Sequence, residues 1–256
     1  MSGPVVAVAG MHRSGTSLFS RFLNDSGVDL GDRLHVDLRT NPYGHYEDED
    51  FLELQRGELA RAFDGEDYLV AKDFELSSRF EDSARELLHR KHERHGEAAW
   101  GWKDPRTTLF LDFWRSHLPD LQVVGLLRPP RDVLDSLCRR TRAYFSIARK
   151  EHLIRVITHY NSRLLEHARE HPEKTHVVDL PTLLAHPASV LEPLSAALGV
   201  SLDAGLFREQ FDSGAMSRSR RASVWLHRRA MAESTAMYDS LHSLAIGSSP
   251  PEAASG

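Results

Sequence analysis

The apolar run Val5-Val6-Ala7-Val8-Ala9 breaks at Gly10 and gives way to Met11-His12-Arg13-Ser14-Gly15-Thr16-Ser17. These residue types hold phosphate groups. A glycine-bounded turn between a strand and a helix aims backbone N–H groups at an anion. The hydroxyls of Ser14, Thr16 and Ser17 add donors, Arg13 adds charge, and His12 stands beside it in the loop. The spacing from Gly10 to Gly15 and Ser17 is that of a nucleotide P-loop, but Thr16 stands where an ATP- or GTP-splitting enzyme places its phosphate-binding lysine.

Two further cations close apolar runs: Lys103 ends Trp100-Gly101-Trp102-Lys103, and Arg128 follows Val123-Val124-Gly125-Leu126-Leu127. Ligands of an open parallel sheet collect beyond the carboxyl ends of its strands, so Arg13, Lys103 and Arg128 are expected to converge on one polyanion. Each cation taken singly reads as a surface salt bridge, Lys103 with Asp104 or Arg128 with Asp132. Pro129-Pro130 stops the strand and can open a helix in its first turn, which sets Ser136 nearly two turns inside it. Arg128 and Ser136 together form a candidate grip for a second phosphate, whereas a mid-helix serine alone is more often bonded to backbone.

The elements that must position these groups follow from periodicity. Leu18, Phe19, Phe22 and Leu23 recur at helical spacing, and Gly27 stands where a helix commonly stops. Residues 31–50, rich in Asp, His, Gly and Pro, predict a long surface loop near a site, and 51–63 a helix. Tyr68 to Ala71 predicts a short strand, and Phe80 to His95 an amphipathic helix with a solvated charged face. Strands are expected at Ala98–Trp102, Leu121–Leu127 and Thr175–Leu180, with helices at Arg149–Glu170 and Pro187–Leu198. The Ser- and Arg-rich stretch 212–223 predicts a loop, followed by a helix to about Leu244. Strands alternating with helices imply a parallel sheet, hence an α/β fold. One domain over 1–247 is the expected organisation, with 248–256 a disordered tail.

Composition narrows the partners. A net charge of −5 argues against nucleic acid or an anionic membrane as the main partner. Cys138 is the single cysteine, so neither an intrachain disulfide nor a cysteine metal cluster can form, and a reducing cytoplasm fits. The sequence shows no secretory leader and no apolar run of membrane-spanning length, and so predicts a soluble, unprocessed chain.

The loop Arg13-Ser14-Gly15-Thr16-Ser17, the segment Trp102-Lys103-Asp104-Pro105-Arg106 and the Arg128-x7-Ser136 spacing together resemble the sulfotransferase family that uses 3′-phosphoadenosine 5′-phosphosulfate (PAPS) as donor. The likeness is to bacterial members similar in motifs to the carbohydrate and tyrosylprotein sulfotransferases, and it rests on residues 5 to 140. It implies a three-layer P-loop fold with a central, mainly parallel β-sheet flanked by helices. It also implies metal-free, in-line transfer of a sulfuryl group to a hydroxyl or amine of a small-molecule, glycan or lipid-linked acceptor, leaving 3′,5′-bisphosphoadenosine (PAP).

By the same resemblance the loop from His12 to Ser17 wraps the 5′-phosphosulfate, Arg128 and Ser136 hold the 3′-phosphate, and Arg13 and Lys103 neutralise charge on the transferring group. Gly44-His45-Tyr46-Glu47-Asp48 is similar to the segment that supplies the base, which points to Glu47. His45 is the rival, and His35 a more distant one. A carboxylate just before a helix also suits the helix dipole without any catalytic role. The segment Ser217-Arg218-Ser219-Arg220-Arg221 lies where relatives place a mobile basic loop over the 3′-phosphate, which makes Arg218 and Arg220 candidates. It departs from the Arg-Lys-Gly pattern of the cytosolic branch. Trp225 either stacks on adenine or packs the next helix. A P-loop kinase using ATP and a catalytically silent nucleotide-binding scaffold are the competing readings.

Overall fold

A computed structural model of the chain describes residues 3–35, 44–141, 146–211 and 227–247. In chain order, β1 (Val5–Ala9), α1 (Thr16–Asp25), β2 (Leu34–His35), β3 (Glu47–Asp48), α2 (Glu49–Ala62) and α3 (Ser78–His95) lead to β4 (Trp100–Lys103). A 3₁₀ turn (Pro105–Leu109), α4 (Leu111–His117), β5 (Gln122–Leu127), α5 (Pro130–Thr141) and α6 (Ile147–Glu170) follow. The last elements are β6 (Thr175–Asp179), α7 (Leu180–Ala185), α8 (Pro187–Leu198), α9 (Ala204–Gln210) and α10 (Arg228–His242).

Four strands form one parallel sheet in the order β4-β1-β5-β6. Val5–Ala9 occupies a central position because small and β-branched apolar residues suit a strand covered on both faces. The two-residue alternation of a strand then divides the core. Val6, Val8, Val124, Leu126 and Val178 pack with α1 and α7–α9 through Phe19, Phe22, Leu183, Leu191 and Phe207. Ala7, Ala9, Val123, Leu127 and Val177, with Trp100 and Trp102, face the opposite layer, which includes Phe51, Phe80, Trp114, Leu134, Tyr160 and Met231. The result is a three-layer α/β fold.

Two details of this frame place the phosphate-type loop. Val8 is in register with Lys103 on β4 and with Val124 on β5, so the loop after β1 opens beside the ends of both neighbours. Gly10, at φ 122°, donates its N–H to Thr108 Oγ1 at 2.7 Å, and a Cβ at this position would overlap the Leu126 carbonyl oxygen. Gly10→Ala is therefore expected to destabilise the protein by about 3 kcal/mol or more, combining left-handed strain with a backbone clash. Urea unfolding tests this, and a loss below about 1 kcal/mol would mean the loop relaxes freely.

The sequence-based expectation differs from the structure in two places. Tyr68 to Ala71 is not a strand. The carbonyls of Asp67, Tyr68 and Leu69 are taken by side chains instead: Arg106 Nε donates to Asp67 O at 2.6 Å, Tyr160 Oη to Tyr68 O at 2.8 Å and His152 Nε2 to Leu69 O at 3.0 Å. The outer edge of β4 is covered by Asp29, whose N–H bonds Ala99 O and whose carbonyl accepts from Gly101 N. Residues 31–50 are not all loop either. Leu34–His35 and Glu47–Asp48 pair antiparallel, His35 opposite Glu47, and α2 starts at Glu49 because Asp48 caps it, accepting from Asp50 N at 2.9 Å. The expected loop at 212–223 and the tail 248–256 lie outside the described residues. No helix among those described is long and apolar enough to cross a membrane.

Candidate active site

A cavity of about 350 Å³ opens beyond the carboxyl ends of β1 and β4. Of the residues singled out by sequence, His12, Arg13, Thr16, Ser17, His45, Glu47 and Lys103 line it, as does His35. Ser14, which is buried, and Gly15 are not among its lining residues. Gly15, at φ 93°, is the N-cap of α1, and a Cβ there would lie 2.7 Å from Leu180 Cδ2. Arg13 is itself left-handed at φ 73°, a conformation uncommon for a residue with a side chain and often found at functional positions.

Arg128 and Ser136 stand behind Arg13 rather than on the cavity wall. Arg128 donates to the Arg13 carbonyl at 3.0 Å and lies 3.9 Å from Asp132, while Arg13 Nε donates to Ser136 Oγ at 2.9 Å. The β1 and β5 junctions are thus cross-linked through one arginine. Burial, then Arg140, Arg128 and Arg139, press the Arg13 guanidinium below its ordinary pKa, although such a group keeps its charge. Arg218, Arg220 and Trp225 lie outside the described residues.

Lys103 is the hub of the cavity. Its ammonium donates to Glu47 Oε1 at 2.7 Å, to the His45 carbonyl at 2.9 Å and to Ser17 Oγ at 3.3 Å. Both Lys103 and Glu47 are buried, so this is an ion pair in a poorly hydrated site. Burial pushes the Glu47 pKa up, but the Lys103 charge and hydrogen bond, helped by Arg106 and His45, outweigh it and hold the carboxyl below its ordinary value. Burial lowers the His45 pKa; Glu47 opposes that, while Lys103, His35 and Arg140 reinforce it. His45 and His35 lie ring against ring, 5.1 Å between centroids.

Glu47 reaches Lys103 because its hairpin is anchored from below. Next to it, Asp48 accepts from the buried Lys91 Nζ at 2.6 Å, and Lys91 lies 3.1 Å from Asp50. Lys103 is fixed by β4, and the turn after it by Asp104, which is fully buried and accepts from Arg106 N, Arg106 Nη1 and Gln55 Nε2.

Sequence reasoning passed over Arg106, Arg140 and Tyr68, all of which line the cavity. Arg140 stands four residues after Ser136 on α5, so helical spacing from that serine was the available signal. Arg106 closes the Trp-Lys-Asp-Pro-Arg segment, but nothing in that string shows its guanidinium bridging Asp104 and the Asp67 carbonyl. His12 packs edge-on against Tyr68 and Tyr160, and its Nε2 is enclosed with no hydrogen-bond partner among the described residues. Burial, then Arg106, Lys103, Arg140 and Arg13, hold His12 well below its ordinary pKa, so it is neutral near pH 7.

The cavity thus brings Arg13, Lys103 and the first residues of α1 to one wall, with the Glu47 carboxylate bonded to Lys103. Among the described residues, no group of three or more His, Cys, Asp or Glu side chains is disposed to hold a metal ion. The family model described as "Sulfotransferase family" matches residues 4–204. No curated protein sequence matches the chain. Among solved structures, it is similar to the sulfotransferase domain from the Synechococcus PCC 7002 olefin synthase, at 16% identity and a TM-score of 0.54, covering 97% of this chain and 91% of that one. The sulfotransferase domain from the curacin biosynthetic pathway is similar at 15% identity and 0.54, covering 98% and 94%. A sulfotransferase from Alicyclobacillus acidocaldarius matches at 16% identity and 0.54, covering 94% and 96%. At these identities the structures speak for the fold, and the family model, spanning most of the chain, speaks for the lineage: this chain belongs to the sulfotransferase family.

Proposed function

We propose that the chain transfers a sulfuryl group from PAPS to a hydroxyl or amine of a small-molecule, glycan or lipid-linked acceptor, leaving PAP. The observation that carries this reading is the position of Lys103, which bridges the phosphate-type loop at Ser17 and the carboxylate of Glu47 inside one cavity. The residues present fit such a donor. Loop N–H groups, the hydroxyls of Thr16 and Ser17, Arg13 and Lys103 would hold the phosphosulfate. Arg128 and Ser136, one layer behind Arg13, would hold the 3′-phosphate.

In the transfer the acceptor oxygen forms a bond to sulfur. The bond from sulfur to the phosphate oxygen breaks, with its electron pair staying on that oxygen. Arg13 and Lys103 stabilise the negative charge that gathers there, and Glu47 takes the acceptor's proton. Glu47 is favoured over His45 by placement: its carboxylate lies 2.7 Å from the ammonium that would stabilise the leaving oxygen, which sets it beside the reacting groups. As in phosphoryl transfer, positioning and charge stabilisation are the protein's main contributions.

Calorimetric titration with PAP, ADP and ATP–magnesium in parallel tests the donor before any acceptor is known. Tight PAP binding without magnesium, against weak binding of the others, is the expected result. A preference for ATP–magnesium would instead identify a kinase, and the absence of binding a silent scaffold. Arg128→Ala is expected to weaken PAP about 30-fold, but to change the 3′-dephosphorylated analogue by less than about threefold. Equal weakening of the two nucleotides would remove Arg128 from the 3′-phosphate.

A further inference from the structure

An ammonium group has three N–H donors, and Lys103 has spent all three: on Glu47, on the His45 carbonyl and on Ser17. None is left for an incoming anion. Contact with the donor therefore requires an exchange. The bond to Ser17 is the longest, at 3.3 Å, and Ser17 lies in the first turn of α1, where its hydroxyl would itself bond the phosphate. That is the natural first bond to open. The Glu47 contact, at 2.7 Å between two buried charges, opens only against a stronger anion.

Such an anion arises during the transfer, when the electron pair of the breaking S–O bond settles on the phosphate oxygen. We propose that Lys103 is handed from Glu47 to this oxygen as transfer proceeds, so that Glu47 becomes a better proton acceptor at the moment the acceptor loses its proton. The product complex then holds PAP, Lys103 turned to its phosphate, and a proton on Glu47. PAP departure returns Lys103 to Glu47 and releases that proton to solvent. The proposal rests on the sulfotransfer reading above and adds the coupling between base and leaving group.

The surroundings of Glu47 favour the neutral carboxyl once Lys103 turns away. It is buried, and on β3 it stands opposite His35. The groups facing it are Lys103 from β4, Asp104 and Arg106 from the turn that follows, Ser17 from α1, and His45 on its own strand approach. Arg140 from α5 lines the same cavity and acts on His45 and His12. Arg106, the cation after Lys103 that acts most on Glu47, is committed to Asp104 at 3.0 Å.

PAP alone tests the coupling. Binding is measured by calorimetry at pH 6.5 in two buffers of different ionisation enthalpy, with wild type and Glu47→Gln side by side, so that protons bound by PAP itself cancel. Wild type is expected to take up about one more proton per PAP than Glu47→Gln. The variant, with no carboxylate competing for Lys103, is expected to bind PAP about fivefold tighter or more. Equal proton counts in the two proteins overturn the proposal, as does weaker PAP binding by a folded Glu47→Gln. Should that variant not fold, infrared difference spectra of wild type with and without PAP give the same answer. A new protonated-carboxyl band supports the exchange, and an unchanged carboxyl region refutes it. Failure of PAP to bind at all would overturn the donor assignment, a result distinct from binding without proton uptake.

Discussion

Lys103→Met is expected to lower PAPS consumption by about 10³-fold or more, while PAP affinity falls by about tenfold or less. Two losses combine in that one substitution. The leaving oxygen loses the cation that stabilises it, a contribution of about 10²–10³ for a single preorganised donor. Glu47, buried and now without its 2.7 Å partner, takes up a proton and stops serving as a base. General base catalysis is itself worth about 10²–10⁴. Because one side chain controls both, the double variant Lys103→Met/Glu47→Gln is expected within about threefold of the slower single variant. Rates of wild type, both singles and the double, with thermal unfolding as the folding control, decide the matter. Independent, multiplying effects would show that Lys103 and Glu47 do not work as a unit.

The largest effect on stability is expected at Arg106, the last residue of the Trp102-Lys103-Asp104-Pro105-Arg106 motif, to which the resemblance assigns no role of its own. Asp104 is fully buried, whereas Arg106 borders the cavity. Arg106→Met strands the carboxylate in the interior and is expected to cost about 3–5 kcal/mol. Adding Asp104→Asn to it restores part of that, since the charge that needed a partner is gone. The pH dependence has a defined sign. Burial already raises the Asp104 pKa above its unfolded value although Arg106 opposes it, and removing Arg106 raises it further. A raised folded pKa gives stability that is present in acid and lost as pH rises, so the deficit of Arg106→Met is smallest near the unfolded aspartate pKa of about 4 and grows towards neutrality. Urea unfolding at pH 4.5 and pH 8 measures it. A deficit independent of pH would mean that Arg106 acts by packing alone.

The strands, the phosphate-type loop and the long helices were legible because each rests on a local signal. Val5–Ala9 and Gln122–Leu127 are apolar runs with clear stops, and Pro130 opens α5 where its fixed φ suits a first turn. The segment at Tyr68 was not, since its apolar residues match a strand while its carbonyls are claimed by Tyr160 and His152, some 80 to 90 residues further along the chain. The β2–β3 hairpin escaped for a different reason: two residues per strand carry no periodicity, and Lys91 on α3 holds it through Asp48. For the site, the sequence named the loop, Glu47 and Lys103 but not their mutual bond, because that bond joins residues 56 positions apart. Arg106 enters the cavity wall through the turn after β4, and Tyr68 through the α2–α3 connection, which Arg106 and Tyr160 hold by its carbonyls.

The order β4-β1-β5-β6 also governs how the chain leaves the ribosome. The earliest of these four strands in the chain, Val5–Ala9, is flanked in the finished sheet by strands that begin at Trp100 and Gln122. At roughly 5–20 residues per second, about 5 to 20 s of synthesis separate that strand from its first neighbour. Throughout that interval β1 carries five apolar residues and a backbone without its sheet partners, which makes it a natural place for a chaperone to hold. Chains truncated before residue 122 lack one of the two neighbours and would accumulate as aggregates, whereas full-length chains close the sheet on both sides of β1.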